Sequence, residues 1–184
     1  MSKISSGTIP GALGIRLEEE LPYSVLRKIG NLEIRHYPPF TLARVEQTGS
    51  FEETRDSGFR LLADFIFGEN SETKKTSMTT PVFQDRTSDG WVMSFYMPPE
   101  SAAMLPKNPE VWIEDMPDKT VAVHRYSGNN DMEKMEAAKA LLLEEIRVAG
   151  LRGVSHVWWA QYDQPFALPV MKRNEVLVKI ESIS

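Results

Sequence analysis

Alternating apolar and polar positions divide most of the chain into short strands. The segments are rich in β-branched and aromatic residues, which favour extended structure, and turn-forming residues separate them. The predicted strands lie at residues 23–29, 32–37, 40–47, 78–84, 91–97, 111–115, 119–126, 156–162 and 175–181. Gly30 and Asn31 tolerate positive φ, so the first two strands are predicted to form a tight antiparallel hairpin.

Two segments have a helical period instead. The first begins at Ser50, which forms an S-x-x-E capping box with Glu53, and ends at Gly68. The second runs from about residue 130 to residue 149, with Gly150 as its stop signal. Such apolar faces are more typical of helices that pack on a core than of cofactor sites. The predicted core-facing residues are Phe51, Phe59, Leu62, Phe65 and Ile66 in the first helix, and Met132, Met135, Ala138, Leu142 and Ile146 in the second.

An internal repeat organises these elements. Residues 39–50 (PFTLARVEQTGS) align without a gap on residues 118–129 (DKTVAVHRYSGN), and a helix and two strands follow each copy. One β-α-β-β half is too small to bury both its helix and its sheet face. The sequence therefore predicts an α+β fold of two duplicated halves, related by a pseudo-twofold axis, with two helices on a curved, mostly antiparallel sheet and a ligand-sized cleft between the halves.

Composition and charge exclude several classes of function. The 184 residues suit one domain, predicted at residues 21–184 after a flexible lead-in at residues 1–20. A net charge of −5 without a basic cluster argues against a nucleic-acid partner. The absence of cysteine excludes disulfides, thiolate metal sites and cysteine nucleophiles. We expect a cytoplasmic protein without a membrane span, because the chain has neither a signal-peptide core nor an apolar run approaching 18 residues.

Two proline-rich segments connect the predicted elements. The segment at residues 97–110 joins the two halves and is predicted to be a linker that crosses the molecule. The segment at residues 163–174 is predicted to form a lip over the cleft, because long loops on a rigid scaffold often carry binding residues. Its apolar residues are Phe166, Leu168, Val170 and Met171.

The chemistry-bearing residues point to binding rather than catalysis. The chain has no nucleophile elbow, phosphate-binding loop or zinc-protease motif, and no catalytic residues are predicted. Alternation places His36 on the same strand face as Leu32 and Ile34. A neutral imidazole against an apolar surface suits an axial ligand of a porphyrin iron, but it equally suits a half-buried histidine bonded to a backbone carbonyl. His124 and His156 are interpreted as sheet residues.

Four stretches together resemble the SOUL heme-binding protein family, in order and in spacing, over about residues 20–181. They are LEIRHYPPF, FIFGEN, MTTPV and PFALPVMKRNEVLV. The resemblance implies a distorted, barrel-like sheet flanked by two helices. It also implies reversible binding of heme or a related tetrapyrrole, in a carrier, buffer or sensor role. His36 matches the histidine that is proposed as the axial iron ligand in some members.

The same resemblance places the ligand near the first helix. Phe59, Ala63 and Phe65 would form a flat apolar contact, and Lys172 and Arg173 would meet the propionates. Asp56 and Asp64 on that helix would repel propionates. The duplicated architecture also resembles gyrase-inhibitor-like modules, which bind small hydrophobic, often cationic, molecules in a cleft, and this is the alternative function. The sequence leaves the oligomeric state open.

Overall fold

Two helices pack on one face of a large antiparallel sheet. The computed structural model describes residues 19–163 and 172–181. Its strands are β1 (Glu19–Glu20), β2 (Ser24–Ile29), β3 (Leu32–Tyr37), β4 (Phe40–Thr48), β5 (Thr79–Thr80), β6 (Val82–Arg86), β7 (Gly90–Met97), β8 (Val111–Met116), β9 (Lys119–Tyr126), β10 (Gly153–Gln161) and β11 (Asn174–Ile180). Its helices are α1 (Phe51–Ile66) and α2 (Met132–Val148).

Nine of these strands form one sheet in the order β2-β3-β9-β11-β10-β6-β7-β4-β8, and every neighbouring pair in it is antiparallel. Strands β1 and β5 form a separate short parallel pair. The predicted α+β fold, with two helices on a mostly antiparallel sheet, is confirmed. The sheet is not closed into a barrel, because β2 and β8 remain its edges among the described residues.

The strand order follows the same pattern from both ends once β2 is set aside. Strands β3, β9, β11 and β10 on one side correspond to β8, β4, β7 and β6 on the other. The halves also exchange their leading strands, since β3 pairs with β9 and β8 pairs with β4. This order is the arrangement that two equivalent β-α-β-β units would give. The duplication itself stays a prediction, because strand order describes topology rather than origin.

Local sequence signals define the two helices. The Ser50 side chain accepts a hydrogen bond from the Glu53 amide at 3.3 Å, and the Glu53 carboxylate accepts one from the Ser50 amide at 2.9 Å, so the capping box is confirmed. The side chain of Asp131 caps α2 by accepting from the Lys134 amide. The predicted apolar faces are buried or half-buried except at Phe59, whose side chain is 40% exposed.

The core lies on both faces of the sheet. On the helix face, α1 packs over β4 and β7 while α2 packs over β9 and β11. The opposite face, which we call the cleft face, carries no helix among the described residues. Its buried residues alternate along the strands with those under the helices, as Val121 does with Ala122. The two faces therefore present separate candidate sites.

Two sequence predictions about connections are corrected. The single strand predicted at residues 78–84 is wrong, because the chain forms β5 and β6 on either side of Pro81, which has no N–H to donate to a ladder. The segment at residues 97–110 does more than cross the molecule, since Met104 is fully buried in the core beneath α1. The predicted lip residues Phe166, Leu168, Val170 and Met171 lie outside the described residues.

Candidate functional site

One cavity lies beside α1, and we call it the α1 groove. It has a volume of about 280 Å³, and Arg55, Asp56 and Phe59 form its helical wall. The sheet side supplies Met78, Thr79, Thr80, Val82, Met93, Gln161, Tyr162 and Asp163. The exposed surface of the lining is mainly apolar. Its charged groups are Arg55 and Asp56 on α1 and Asp163 on the sheet side.

Phe59 is the large apolar residue that α1 presents to this groove. Its ring packs edge-on against Phe95, with centroids 5.4 Å apart, which fixes one side of the ring and leaves the other accessible. Beside it, Arg55 and Asp56 pair at 3.2 Å with both side chains largely exposed. An exposed pair of this kind is weak, so Arg55 can exchange Asp56 for a ligand anion.

The other residues predicted on α1 occupy different environments. Ala63 follows Phe59 by one turn and is half-buried. Phe65 is 1% exposed and belongs to the core beneath α1, so its ring is not at the surface. Of the three residues predicted to form the apolar contact, Phe59 lines the α1 groove, Ala63 lies one turn away and Phe65 is in the core.

The two predicted propionate partners are both engaged by protein groups. Lys172 donates a hydrogen bond to Asn129 Oδ1 at 3.1 Å. Arg173 donates to Glu175 at 3.0 Å, to Glu20 at 2.9 Å and to the Tyr23 hydroxyl at 3.0 Å. Its guanidinium also lies 3.6 Å from the centre of the Tyr162 ring. Arg173 therefore holds the wall next to the groove rather than presenting a free charge to it.

His36 lies away from the α1 groove. It belongs to β3, which pairs with β2 and β9 in the half of the sheet that α2 covers. Its side chain is 38% exposed, and Nε2 is 3.6 Å from an oxygen of Asp118. His36 lines neither cavity described in this section. The structure does not bring His36 together with Phe59 on one site.

A buried ionic cluster on the cleft face was not predicted. Arg35 donates to both oxygens of Glu175, at 2.6 and 2.9 Å, and Arg173 contacts the same carboxylate. Burial acts to raise the pKa of Glu175, but Arg35 and Arg173 outweigh it and hold that pKa below its usual value. The sequence gave only a weak signal for this cluster. Alternation placed Arg35 on the face of β3 opposite Leu32 and Ile34, and nothing in the pattern showed that this face is also buried.

Tyrosines surround that cluster. Burial raises the pKa of Tyr37 to about 12, and it raises the pKa of Tyr162 as well. The Tyr162 hydroxyl is buried and has no hydrogen-bond partner within the part of the chain that the structure describes. A buried polar atom without a partner is uncommon in a native fold, and Tyr162 lines the α1 groove.

A second cavity, which we call the cleft, lies on the cleft face and has a volume of about 240 Å³. Phe40, Phe83 and Trp158 form aromatic walls, and Leu42, Met116 and Leu177 add aliphatic surface. Arg44 bonds both to Asp85, at 2.7 Å, and to Glu114, at 2.5 Å. His156 Nε2 lies 3.2 Å from Asp85, and this contact raises the pKa of His156.

Residues 19–163 and 172–181 contain no group of three or more His, Cys, Asp or Glu side chains that could hold a metal ion. Neither helix in this part of the chain is long and apolar enough to cross a bilayer.

Solved structures with a similar fold include the C-terminal domain of EcmrR and a hydrolase from Listeria innocua. The first has a TM-score of 0.61 at 10% identity, over 88% of this chain and 99% of that one. The second has a TM-score of 0.55 at 11% identity, over 82% and 92%. At such low identity these likenesses establish the fold alone.

Sequence relatives are more informative. Heme-binding protein 2 of Mus musculus is 29% identical over 161 residues, covering 80% of this chain and 77% of the relative. The Homo sapiens protein of the same name is 28% identical over the same shares. The profile described as SOUL heme-binding protein matches residues 18–179, which is most of the chain. This protein therefore belongs to the SOUL heme-binding protein family.

Proposed function

We propose that this protein reversibly binds heme or a related tetrapyrrole at the α1 groove, as a carrier, buffer or sensor. The observation that carries the proposal is Phe59, an aromatic side chain 40% exposed on a helix whose other predicted core residues are buried or half-buried. It stands at the mouth of an apolar cavity, where a flat ring can stack on it. The family, and relatives whose names state heme binding, support the same ligand class.

The apolar residues of the groove fit the flat body of such a group, although Asp56 and Asp163 in the lining would repel its propionates. Met78 and Met93 offer polarizable thioether surface, which adapts to a flat ligand. Arg55 is the cation best placed to meet a propionate, because Arg173 is held by Glu175, Glu20 and Tyr23. A cavity of about 280 Å³ takes one edge of a macrocycle and leaves the rest in solvent, which suits reversible transfer.

Bound heme would supply the redox and ligand-binding chemistry of its iron, and the protein would supply orientation and partial exclusion of water. His36 remains a separate candidate for an axial ligand, since its ring is accessible and its contact with Asp118 is long. His36 lies outside the groove, so axial ligation by His36 and stacking on Phe59 are two different binding modes.

A hemin titration followed in the Soret region tests the proposal and separates these modes. We expect a saturable 1:1 spectrum for the wild type. Phe59→Gln should weaken binding by roughly 10- to 150-fold, because burying an aromatic side chain of this size contributes roughly 1.5–3 kcal/mol. Phe67→Gln is the matched control, since Phe67 is 48% exposed and lies outside the groove.

Axial ligation is tested by comparing hemin titrations of His36→Ala and of His156→Ala, the control. Both variants remove an accessible imidazole. Loss of the Soret band in His36→Ala alone would move the site to β3. Equal titrations of the wild type and Phe59→Gln would reject the α1 groove, and a spectrum that never saturates would reject tetrapyrrole binding altogether.

A further inference from the structure

The cleft contains a lysine, Lys119, that forms no direct ion pair with the acidic side chains of the lining. Lys119 begins β9 on the cleft face, and its Nζ lies 5.1 Å from the centre of the Phe40 ring and 5.6 Å from that of Trp158. Among the described residues, no carboxylate oxygen lies within 4 Å of this ammonium group. The lysine therefore points a half-buried positive charge between two aromatic walls.

Both acidic groups of the cleft lining already form ion pairs. Asp85 is held by Arg44 and His156, and Glu114 is held by Arg44. Lys179 adds a further positive charge to the lining. On the same face, the carboxylate of Glu175 is occupied by two arginines. Both carboxylates that line the cleft, Asp85 and Glu114, thus already have cationic partners within the protein.

The charges facing Lys119 agree with this assignment. Burial lowers the pKa of Lys119, and Lys179 and Arg44 lower it further, while Asp85 and Glu114 act in the opposite direction. An anion bound beside the ammonium would offset, by its Coulomb attraction, the desolvation that depresses this pKa. A cation there would add to the repulsion.

We propose that the cleft is a second ligand site, which binds a planar aromatic molecule carrying a carboxylate or another single anionic group. The aromatic body lies between Phe40, Phe83 and Trp158, and the anionic group meets the Nζ of Lys119. The site is independent of tetrapyrrole binding in the α1 groove, because the two cavities share no lining residue. Its ligand has the opposite charge to the cationic molecules expected for a gyrase-inhibitor-like module.

Isothermal titration with three naphthalene probes of nearly equal size tests the sign of the charge. The probes are 2-naphthoate, 2-naphthylmethanol and 2-naphthylmethylammonium. We expect 2-naphthoate to bind 1:1 and about ten-fold more tightly than the neutral alcohol, with the ammonium weakest, because charge-assisted contacts are the stronger ones. Binding of the ammonium as tightly as the carboxylate, or no binding of any probe, would overturn the proposal.

Variants locate the binding. Lys119→Met keeps the apolar stem and removes the charge, so it should abolish the preference for 2-naphthoate while the alcohol binds as before. Lys107→Met, an exposed lysine outside the cleft, is the matched control and should keep the preference. An unchanged preference in Lys119→Met would refute the role of this lysine.

Two further variants separate the cleft from the groove. Trp158→Ala should weaken all three probes, and Phe59→Gln should weaken none of them. Weaker 2-naphthoate binding in Phe59→Gln, with Trp158→Ala unaffected, would place the anion in the α1 groove and overturn the cleft assignment. The charge preference of the wild type decides the proposal even where a variant fails to fold.

Discussion

Arg35 and Glu175 form a bidentate ion pair across the sheet, although 140 residues separate them in the chain. The two N–O distances are 2.6 and 2.9 Å, and the side chains are 2% and 0% exposed. Strand β9 lies between their strands β3 and β11, so the pair bridges two non-adjacent strands. Arg173 completes the coordination of the same carboxylate.

Replacing Glu175 with Gln should strongly destabilise the fold. The change removes the negative charge that the buried Arg35 and the half-buried Arg173 share, and breaking a buried pair typically costs about 3–5 kcal/mol. Urea unfolding measures the difference in the free energy of unfolding. Arg152→Ala is the control, because the Arg152–Glu181 pair is exposed and should contribute little. Similar losses in the two variants would contradict a structural role for the cluster.

The same carboxylate should give the protein a specific acid sensitivity. The pKa of Glu175 is lower in the folded state than its ordinary value of 4.5, so its contribution is fully present above that value and is lost as the pH falls through the folded-state pKa. Thermal midpoints between pH 2 and pH 7 should therefore fall more steeply below pH 4.5 in the wild type than in Glu175→Gln. Parallel curves would show that other carboxylates dominate acid unfolding.

Two glycines should respond oppositely to a single methyl group. A Cβ at Gly90 would lie 2.0 Å from the backbone oxygen of Gln47, so Gly90→Ala must push β7 away from β4. A Cβ at Gly58 would meet Val45 and Met93 at 3.5 Å or more, which is ordinary contact. Gly58→Ala in α1 should raise the free energy of unfolding by about 0.5–1 kcal/mol. Gly90→Ala should lower it by about 1–3 kcal/mol.

Chemical denaturation of both glycine variants beside the wild type is sufficient for this comparison. A stable Gly90→Ala protein would mean that the approach of β7 to β4 is looser than the structure shows. A destabilised Gly58→Ala would mean that α1 packs more tightly on β4 and β7 than the contact distances indicate.

Removing Arg44 should change which ligands the cleft accepts. Arg44→Met frees Asp85 and Glu114, leaving one of them to His156 and the other without a partner. Binding of 2-naphthoate should then weaken, and binding of 2-naphthylmethylammonium should strengthen, by about ten-fold each. Arg86→Met, which removes a cation outside the cleft, should leave both affinities unchanged. Unchanged charge selectivity in Arg44→Met would show that Arg44 does not set the potential of the cleft.

Short-range patterns were sufficient for most elements of the fold. The hairpin at Gly30 formed as predicted, with Ile29 opposite Leu32 and a φ of 60° at the glycine. Helix α1 begins directly after Ser50 because its cap depends on groups three residues apart. The strand boundary at Pro81 was missed, since alternation continues across the proline while the hydrogen-bonding pattern does not.

The candidate site was predictable only in part. Periodicity identified Phe59 as an apolar residue of α1, but it placed Phe59 in the core together with Phe65. The structure separates them, because Phe65 lies on the face of α1 that packs on the sheet, whereas Phe59 borders the groove. His36 and Phe59 were combined into one site because both matched family positions, and sequence contains no measure of the distance between them.

The sequence by itself determined most of the strands, both helices and the absence of cysteine chemistry, because each depends on composition or on groups only a few residues apart. Tertiary structure alone decided the strand order, the open sheet, the Arg35–Glu175 pair and the setting of Lys119 between Phe40 and Trp158. These contacts join residues that are distant in the chain. Whether a charge is buried, paired or left facing a cavity depends on which strands become neighbours, and local patterns do not specify that choice.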